Sequence, residues 1–366
     1  MDFQFSEEQL LIRQSIREYA AENTKNDNSE EVVRNLADLE FLGIFYPEQY
    51  GGAGADFTSF VLSLEEIAKT SASAALIYAG HCCLGAYPLY QWGTEEQKRK
   101  YLPQLFQGQR IGGLAYGEGS LSSDWLTINT AAEKNEDGYL LNGRKTYVVN
   151  ARQENLFIVF AKTEADELSA FIVKGETPGL SFGPAYRKMG LEGVAVADLI
   201  LDNVRVPRAS RLGCPGQGRE IYREALSLQQ IALAAIALGI ARNALEKSIS
   251  YGKERIQFGR PIIRFEALQV MVAQVAAKIA AAGLQVYQAT GLRDRKEDFA
   301  LEAEIARYLA QLAGDQACTE AVQIHGGYGY SAELGVERLY RDMKGITLLD
   351  LPEKPLPLNI AQRITA

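Results

Sequence analysis

The chain has 366 residues, more than one compact core usually holds, so we expect two or three structural units. Hydrophobic residues make up 47% of it and charged residues 23%, a globular composition that excludes the class of disordered tail proteins. The formal net charge of -8 argues against a nucleic-acid-binding surface, because such surfaces are built on an excess of basic residues.

The first part of the chain, to about residue 114, is predicted to be helical. Its apolar residues recur at helical spacing and its breaks are rich in glycine. The first twenty residues mix charges with apolar positions, so we expect neither a signal peptide nor a membrane span there. Thr94, followed by the run EEQK, indicates a capped helix start.

Cysteine and histidine are scarce, which limits the possible chemistry. Four cysteines are too few for a disulfide scaffold, and the adjacent pair Cys82 and Cys83 is predicted to be buried thiols of a helix, so we expect a cytoplasmic protein. The two histidines, His81 and His325, leave little for Ser-His-Asp mechanisms or zinc sites. We therefore expect no metal, and an enzyme whose difficult chemistry is carried by a cofactor.

From about residue 115 to residue 212 the pattern changes to short β-strands. Alternating runs on both sides of Asn142 and Gly143 predict a hairpin that turns at this pair. Further runs continue the strand pattern, at residues 156–161, 170–173 and 199–206.

From about residue 218 the chain returns to long helices. Residues 226–251 are a nearly unbroken apolar stretch rich in alanine, and residues 265–292 are another. Such helices predict a bundle whose small residues permit close packing, either between subunits or in the core of a monomer. The order of elements predicts an α+β protein with domains at residues 1–114, 115–215 and 216–366.

Six motifs, in the same order, give residues 1 to about 344 a resemblance to the acyl-CoA dehydrogenase family. They are MDFQFSEEQ at 1–9, GI and PEQYGG within 43–52, GTEEQK at 93–98, KERIQFGRPI at 253–262, QIHGGYGY at 323–330 and ERLYRD at 337–342. The resemblance implies an N-terminal helical domain, a middle β domain and a C-terminal helical bundle. It also implies a flavoprotein that binds FAD at a subunit interface, usually as a homotetramer.

The resemblance further assigns the cofactor to a set of residues in the middle and C-terminal domains. They are Tyr116, Gly117, Ser123, Tyr147, Val149, Arg255, Gln257, Phe258, Gln323, Gly326 and Gly327. Arg255 offers planar charged donors for the pyrophosphate, and Phe258 a flat face near the adenosine. Gly326 and Gly327 remove side chains where the backbone must approach the cofactor, and His325 is expected to pack this loop. In the family these groups reach the flavin of a neighbouring subunit.

Two strands around the flavin ring depart from the family pattern. Gly117 stands where the family has a threonine whose hydroxyl bonds the flavin, whereas Ser123 matches a serine that bonds the pyrophosphate. In the second strand, Tyr147 keeps an aromatic wall but Val149 replaces a hydroxyl residue. We expect backbone N–H groups to serve the ring instead.

The catalytic base is predicted at Asp350. Dehydrogenation needs a carboxylate to take the proton beside the thioester carbonyl while a hydride leaves the next carbon for the flavin. An ungapped count from the family's Arg-Asp-x-Lys motif reaches Asp350; a slip of one residue reaches Leu351 and leaves no base. The alternative role for Asp350 is a loop residue that caps a turn. Gln229, at the site of the base in other family members, cannot replace it.

Two further sequence features concern the region after Asp350 and the expected site of the acyl carrier. Three prolines between residues 352 and 357 predict that no ordinary helix forms there. Glu192 stands where the family often has an arginine near the acyl carrier group. This charge reversal leaves both coenzyme A and an acyl carrier protein as candidate carriers.

Three functions are consistent with the sequence. The first is FAD-dependent α,β-dehydrogenation of an acyl thioester, with electron-transfer flavoprotein or oxygen as the acceptor. The second is a non-catalytic homologous subunit of a heteromeric acyl-CoA dehydrogenase, and the third is a flavin monooxygenase or oxidase on the same fold. We expect a homo-oligomer, most simply a tetramer, or a heteromer with a homologue, without nucleic acid and without a membrane span.

Overall fold

The structure is a computed structural model that describes residues 5–24, 28–119, 128–163, 167–349 and 355–365. Helices form its N-terminal and C-terminal domains, and a mixed β-sheet forms the domain between them. The predicted α+β architecture of helices, sheet and helices is confirmed.

Six α-helices, four of them with a side-chain N-cap, lie in the described part of the N-terminal domain. They are α1 (Glu7–Asn23), α2 (Ser29–Asn35), α3 (Phe57–Thr70), α4 (Ala72–Ala79), α5 (Tyr87–Trp92) and α6 (Glu95–Phe106). The Ser6 and Thr94 side chains each accept a hydrogen bond from a backbone N–H three residues later. The side-chain oxygen of the glutamine at that later position accepts the backbone N–H of the capping residue, which completes a capping box in both cases. The helix start predicted at Thr94 is confirmed.

A π-helical segment, Gly80–Ala86, joins α4 to α5 and contains the two adjacent cysteines, both buried as predicted. A Cβ added to Gly85 would lie 2.4 Å from the Cα of Gly112, so the segment touches the backbone of the middle domain. His81 Nδ1 accepts a hydrogen bond from the Gly112 N–H at 3.0 Å, and burial lowers the pKa of His81 to about 3. His81 is therefore a neutral link between two domains.

The middle domain is one sheet with strands in the order β6-β7-β3-β2-β4-β5-β8, and β1 pairs in parallel with β4. The strands are β1 (Gly112–Ala115), β2 (Ala131–Lys134), β3 (Gly138–Val149), β4 (Leu156–Lys162), β5 (Leu168–Lys174), β6 (Leu180–Phe182), β7 (Val196–Pro207) and β8 (Arg211–Leu212). Alternate residues of β4 face opposite sides of the sheet. Ile158 and Phe160 join the large core shared with the helices, whereas Phe157 and Val159 join a second core.

The hairpin predicted at Asn142 and Gly143 is wrong. β3 continues through this pair, and its register with β7 shifts between Leu141 and Gly143, as at a β-bulge. A Cβ on Gly143 would lie 2.4 Å from Oγ1 of Thr130, so the glycine permits close packing. Asn142 Oδ1 accepts the N–H of Asn203 at 2.7 Å. The sheet thus supplies partners that outweigh the local tendency to turn.

Long helices and a small hairpin form the C-terminal domain. They are α7 (Gly218–Glu254), β9 (Ile256–Gln257), β10 (Arg260–Pro261), α8 (Glu266–Asp294), α9 (Ala300–His325), α10 (Gly327–Tyr330), α11 (Val336–Leu348) and α12 (Leu356–Thr365). Within the described ranges, α7 and α8 are long and apolar enough to span a membrane by length and composition. The most apolar part of α7 is 89% buried, as in a core helix, whereas that of α8 is only 22% buried.

The three prolines predict that no ordinary helix forms between residues 352 and 357. This prediction is wrong from residue 356 onward. α12 begins at Leu356, and the carbonyl of Pro355 accepts the N–H groups of Leu358 and Asn359. Pro357 falls in the first turn, where a missing N–H costs no helical hydrogen bond. Pro355 and Pro357 are therefore compatible with the first turn of this helix.

Candidate functional site

The end of α7 and the hairpin after it bring together three of the residues assigned to the cofactor. Arg255 ends the helix, Gln257 lies in β9, and Phe258 and Gly259 form the two-residue turn, with φ of 49° and 78°. Positive φ at both turn positions is the geometry of a type I′ hairpin and is unfavourable for phenylalanine. The Phe258 side chain is 92% exposed, so this chain alone does not bury it.

Gly326 and Gly327 share a depression of about 530 Å³ with Arg255 and Gln257. Gly326 has φ 57° and ψ -132°, a conformation that other residues avoid. A Cβ on either glycine would meet nothing within 4 Å, so their missing side chains leave space for an approach from outside. Within the described residues, no acidic side chain forms an ion pair with the Arg255 guanidinium, although Glu333 also lines the depression. The depression therefore suits an anionic ligand that lies against the backbone.

Gln323 and His325 lie in the last turn of α9, before these glycines. Gln323 has an exposed side chain, and its backbone carbonyl accepts the Gly326 N–H at 3.1 Å. His325 is buried, and its ring stacks on Tyr251 with 4.3 Å between centroids. Burial lowers the pKa of His325, which favours the neutral ring. This geometry agrees with the predicted packing role.

The second surface is on the sheet, where Tyr147 presents a half-exposed ring. The register of β3 and β7 shifts again at this point, and Tyr147 has a left-handed φ of 55°. Its ring stacks on Tyr186 with 4.2 Å between centroids and 16° between planes, and it is 47% exposed. Both rings line a depression of about 570 Å³, together with Thr146 and Gly119. The surface offers a flat aromatic face to a ligand.

Gly117, Tyr116 and Val149 differ in how open they are. A Cβ on Gly117 would meet nothing within 4 Å, so its backbone is accessible. The Tyr116 side chain is buried and stacks on Tyr222, with 3.6 Å between centroids. Val149 is half-buried, and a Cβ added to Gly80 would lie 3.9 Å from its Cγ1. The Tyr116 ring is therefore part of the protein interior rather than of an open surface.

An ion pair that the sequence did not predict lies behind this surface. Lys145 is fully buried, and its Nζ contacts Glu118 Oε1 at 2.7 Å and the Tyr116 carbonyl at 2.9 Å. Burial lowers the pKa of Lys145 to about 8; burial would also raise that of Glu118, but Lys145 holds it below the usual value. Glu118 also accepts the N–H groups of Asn129 and Thr130. The sequence signal for this ion pair was Lys145 itself, a charged residue in the middle of a strand pattern.

The charge-reversed Glu192 has a partner. Its Oε1 lies 2.7 Å from Nη1 of Arg341 on α11, and the same nitrogen donates to the Met189 carbonyl at 2.9 Å. The adjacent Asp342 accepts the N–H of Leu191 at 2.6 Å. The acidic charge of Glu192 is therefore compensated locally, within a loop that is fixed to α11.

Two predicted site residues, Ser123 and Asp350, lie outside the described residues, as does Leu351, the alternative to Asp350. On either side of Asp350, Leu349 packs against the main core and Leu356 is 4% exposed. The chain is thus held on both sides of the position predicted for the base.

The other candidate positions offer no base. Gln229 and Gln230 are both buried on α7, and an amide does not take up a proton near neutral pH. In the part of the chain that the structure describes, no three His, Cys, Asp or Glu side chains come together as metal ligands.

Comparisons with known proteins agree along the whole chain. Three acyl-CoA dehydrogenase family models match it: the N-terminal domain at residues 6–109, the middle domain at 113–204 and the C-terminal domain at 216–364. Probable acyl-CoA dehydrogenase YngJ of Bacillus subtilis is 38% identical over 358 residues, 94% of each chain. The caffeyl-CoA reductase-Etf complex subunit CarC of Acetobacterium woodii is 36% identical, over 94% of this chain and 95% of its own. Solved butyryl-CoA dehydrogenase of Megasphaera elsdenii superposes with a TM-score of 0.95, at 32% identity over 100% of both chains.

Proposed function

The chain belongs to the acyl-CoA dehydrogenase family, and from this premise we propose that it removes two hydrogens from the α and β carbons of an acyl thioester. It is an FAD-dependent oxidoreductase that acts on CH–CH donors. When bound, FAD supplies the acceptor for the hydride. The observation that carries the proposal is the depression in which Gly326 and Gly327 leave the backbone bare beside Arg255.

The cofactor's phosphates are held by the C-terminal domain in this proposal. The Arg255 guanidinium donates charge-assisted hydrogen bonds to the pyrophosphate, and Gln323 donates and accepts beside it. Phe258 packs against the adenosine half, which gives its exposed ring a partner. Because Phe258 points away from its own chain, these contacts are made to the cofactor of a neighbouring subunit, and Ser123 supplies the contact within the chain.

The sheet surface around Tyr147 would hold the flavin ring. The phenol ring forms one wall, and the open backbone at Gly117 approaches the ring where the family has a threonine. Val149 contributes an apolar surface, and the ring edges are served by backbone N–H groups rather than by side-chain hydroxyls. Tyr116 takes part through its backbone, since its side chain is buried against Tyr222.

Asp350 is proposed as the base. It takes the proton from the carbon beside the thioester carbonyl, and the hydride leaves from the next carbon. Its side chain is one methylene shorter than the glutamate usual in the family, so the backbone must bring it closer to the substrate.

A second candidate is the reverse reaction, reduction of an α,β-unsaturated thioester. The similarity to CarC, a reductase subunit of an Etf complex, favours it. The same similarity supports an electron-transferring flavoprotein as the partner that exchanges electrons with this chain. Addition of an enoyl thioester to the chemically reduced protein tests it: reoxidation of the flavin without air is the expected result.

The visible spectrum of the purified protein, followed by anaerobic addition of acyl thioesters, tests the main proposal. The proposal is supported by a yellow protein whose flavin is bleached by a saturated acyl group carried on coenzyme A or on an acyl carrier protein. The carrier whose thioester reduces the flavin faster is then the preferred one. A chain that is colourless alone and yellow only with a homologue would favour the non-catalytic subunit. Rapid reoxidation of the reduced flavin by air would favour the oxidase or monooxygenase.

A further inference from the structure

The Asp198 side chain on β7 is hydrogen-bonded to both tyrosines of the aromatic surface on the sheet. Asp198 is 3% exposed. Its Oδ1 accepts the backbone N–H of Tyr147 at 3.3 Å and the hydroxyl of Tyr186 at 2.6 Å. Its Oδ2 accepts Nε of Arg144 at 2.7 Å. One buried carboxylate therefore joins the backbone of one tyrosine, the side chain of the other, and a cation.

These bonds explain the unfavourable backbone conformation of Tyr147 and the position of Tyr186 beside it. Tyr147 has a left-handed φ of 55°, which a residue with a side chain adopts only when its surroundings impose it. Tyr186 lies in the segment before β7, where the Gly183 N–H donates to the Asp198 carbonyl at 2.9 Å. The carboxylate thus fixes both rings, which stack at 4.2 Å and 16°. Arg144 balances its charge.

We propose that Asp198 is a positioning residue for the flavin site: it holds Tyr147 and Tyr186 as one stacked unit that forms the wall of the ring pocket. This inference rests on the proposed function, because the wall is useful only if a flavin lies beside it. Asp198 touches no reacting atom in this scheme. It acts through Tyr147, whose other surface is half-exposed.

Three variants separate the contributions. Asp198→Ala removes the bonds of the carboxylate and keeps the backbone bond to Gly183, whereas Tyr186→Phe removes only the hydroxyl bond and keeps the ring. Asp202→Ala, an exposed carboxylate four residues later on the same strand, is the matched control. The full-length protein is freed of its flavin, and its near-ultraviolet circular dichroism is recorded as a measure of tyrosine order. FAD is then added, and its affinity, its visible absorption bands and its reduction potential are measured.

Asp198→Ala should lose the tyrosine dichroism that the stacked pair contributes, two of the 18 tyrosines of the chain. It should bind FAD about two- to tenfold more weakly, the range expected for one aromatic stacking contact. The absorption bands and the potential of the flavin that remains bound should shift, because the ring loses a fixed neighbour. Tyr186→Phe should change the same quantities in the same direction by a smaller amount, and Asp202→Ala should match the parent.

The inference is overturned if Asp198→Ala loses the tyrosine dichroism while FAD affinity, bands and potential stay at the parent's values. If Asp198→Ala does not fold, an unchanged FAD affinity and spectrum in Tyr186→Phe overturns it equally. Failure of the parent protein to bind FAD is a different result, since it contradicts the proposed function itself.

Discussion

At the scale of single residues, Arg255 carries the clearest prediction about the cofactor. Arg255→Ala should weaken FAD binding roughly ten- to hundredfold, because loss of a charge-assisted hydrogen bond costs about 1.5–3 kcal/mol. Flavin release on dilution of the purified protein measures this. Lys253→Ala, which removes an exposed cation two residues earlier, should retain FAD as the parent does. Full FAD retention by Arg255→Ala would contradict the pyrophosphate contact.

Asp350 carries the prediction about catalysis. Asp350→Asn keeps the shape of the side chain but removes its capacity to take a proton, so flavin reduction by substrate should slow by about 10²–10⁴-fold. FAD binding should persist, and stopped-flow absorbance under anaerobic conditions measures both. Asp137→Asn, at an exposed turn, is the control. Parent-like flavin reduction in Asp350→Asn would show that Asp350 is not the base.

Lys145 gives a pH-dependent prediction. Burial lowers its pKa in the folded state to about 8, whereas an unfolded lysine titrates near about 10.4. Between these values the unfolded state binds more protons, so the free energy of unfolding should rise with pH by up to about 1.4 kcal/mol per unit. Denaturant titrations from pH 8 to pH 10 should show this extra slope in the parent and not in Lys145→Met. Equal slopes would contradict the lowered pKa of Lys145.

At the scale of elements, close glycine contacts explain how the domains meet. Gly85→Ala places a methyl group 2.4 Å from the Gly112 backbone, which cannot move aside as a flexible side chain would. We expect a loss of about 1–3 kcal/mol in the free energy of unfolding, as for overpacked cores. Gly117→Ala meets nothing within 4 Å and should leave the free energy of unfolding nearly unchanged. Denaturant unfolding compares the two.

Short sequence motifs predicted secondary structure correctly where residues close in the sequence supply its hydrogen bonds. The helix start at Thr94 is an example, because both halves of its capping box lie within four residues. The Asn142-Gly143 pair carries an equally strong local signal for a turn, yet β7 pairs with β3 on both sides of it. Partners distant in sequence decided that case, and the sequence alone does not reveal them.

The same distinction separates the two surfaces of the candidate site. Arg255, Gly326 and Gly327 belong to contiguous motifs, so their common location followed from the family resemblance, and the structure lines one depression with them. The link between Tyr147 and Asp198 spans 51 residues and has no characteristic spacing. Its members became visible only when β3 and β7 were paired.

At the scale of the whole molecule, apolar surface remains uncovered. The most apolar part of α8 is only 22% buried, and Val270 and Leu284 on it are 54% and 51% exposed. Phe258 is 92% exposed in a conformation that phenylalanine disfavours. Surfaces of this kind normally mark contacts with another protein or a membrane. We propose that further copies of the chain cover them, most simply in a tetramer.

This proposal makes the last prediction. Val270→Glu should place a charge in the contact between copies, so the oligomer should dissociate, and FAD should be lost with it if Arg255 and Phe258 serve a neighbour's cofactor. Light scattering after size-exclusion chromatography, with the flavin absorbance recorded, measures both. Leu11→Glu, at a position on α1 that is 68% exposed, should leave mass and flavin unchanged. A parent protein that is monomeric with bound flavin would contradict the proposal, because a single chain would then hold the cofactor without the neighbour's Arg255.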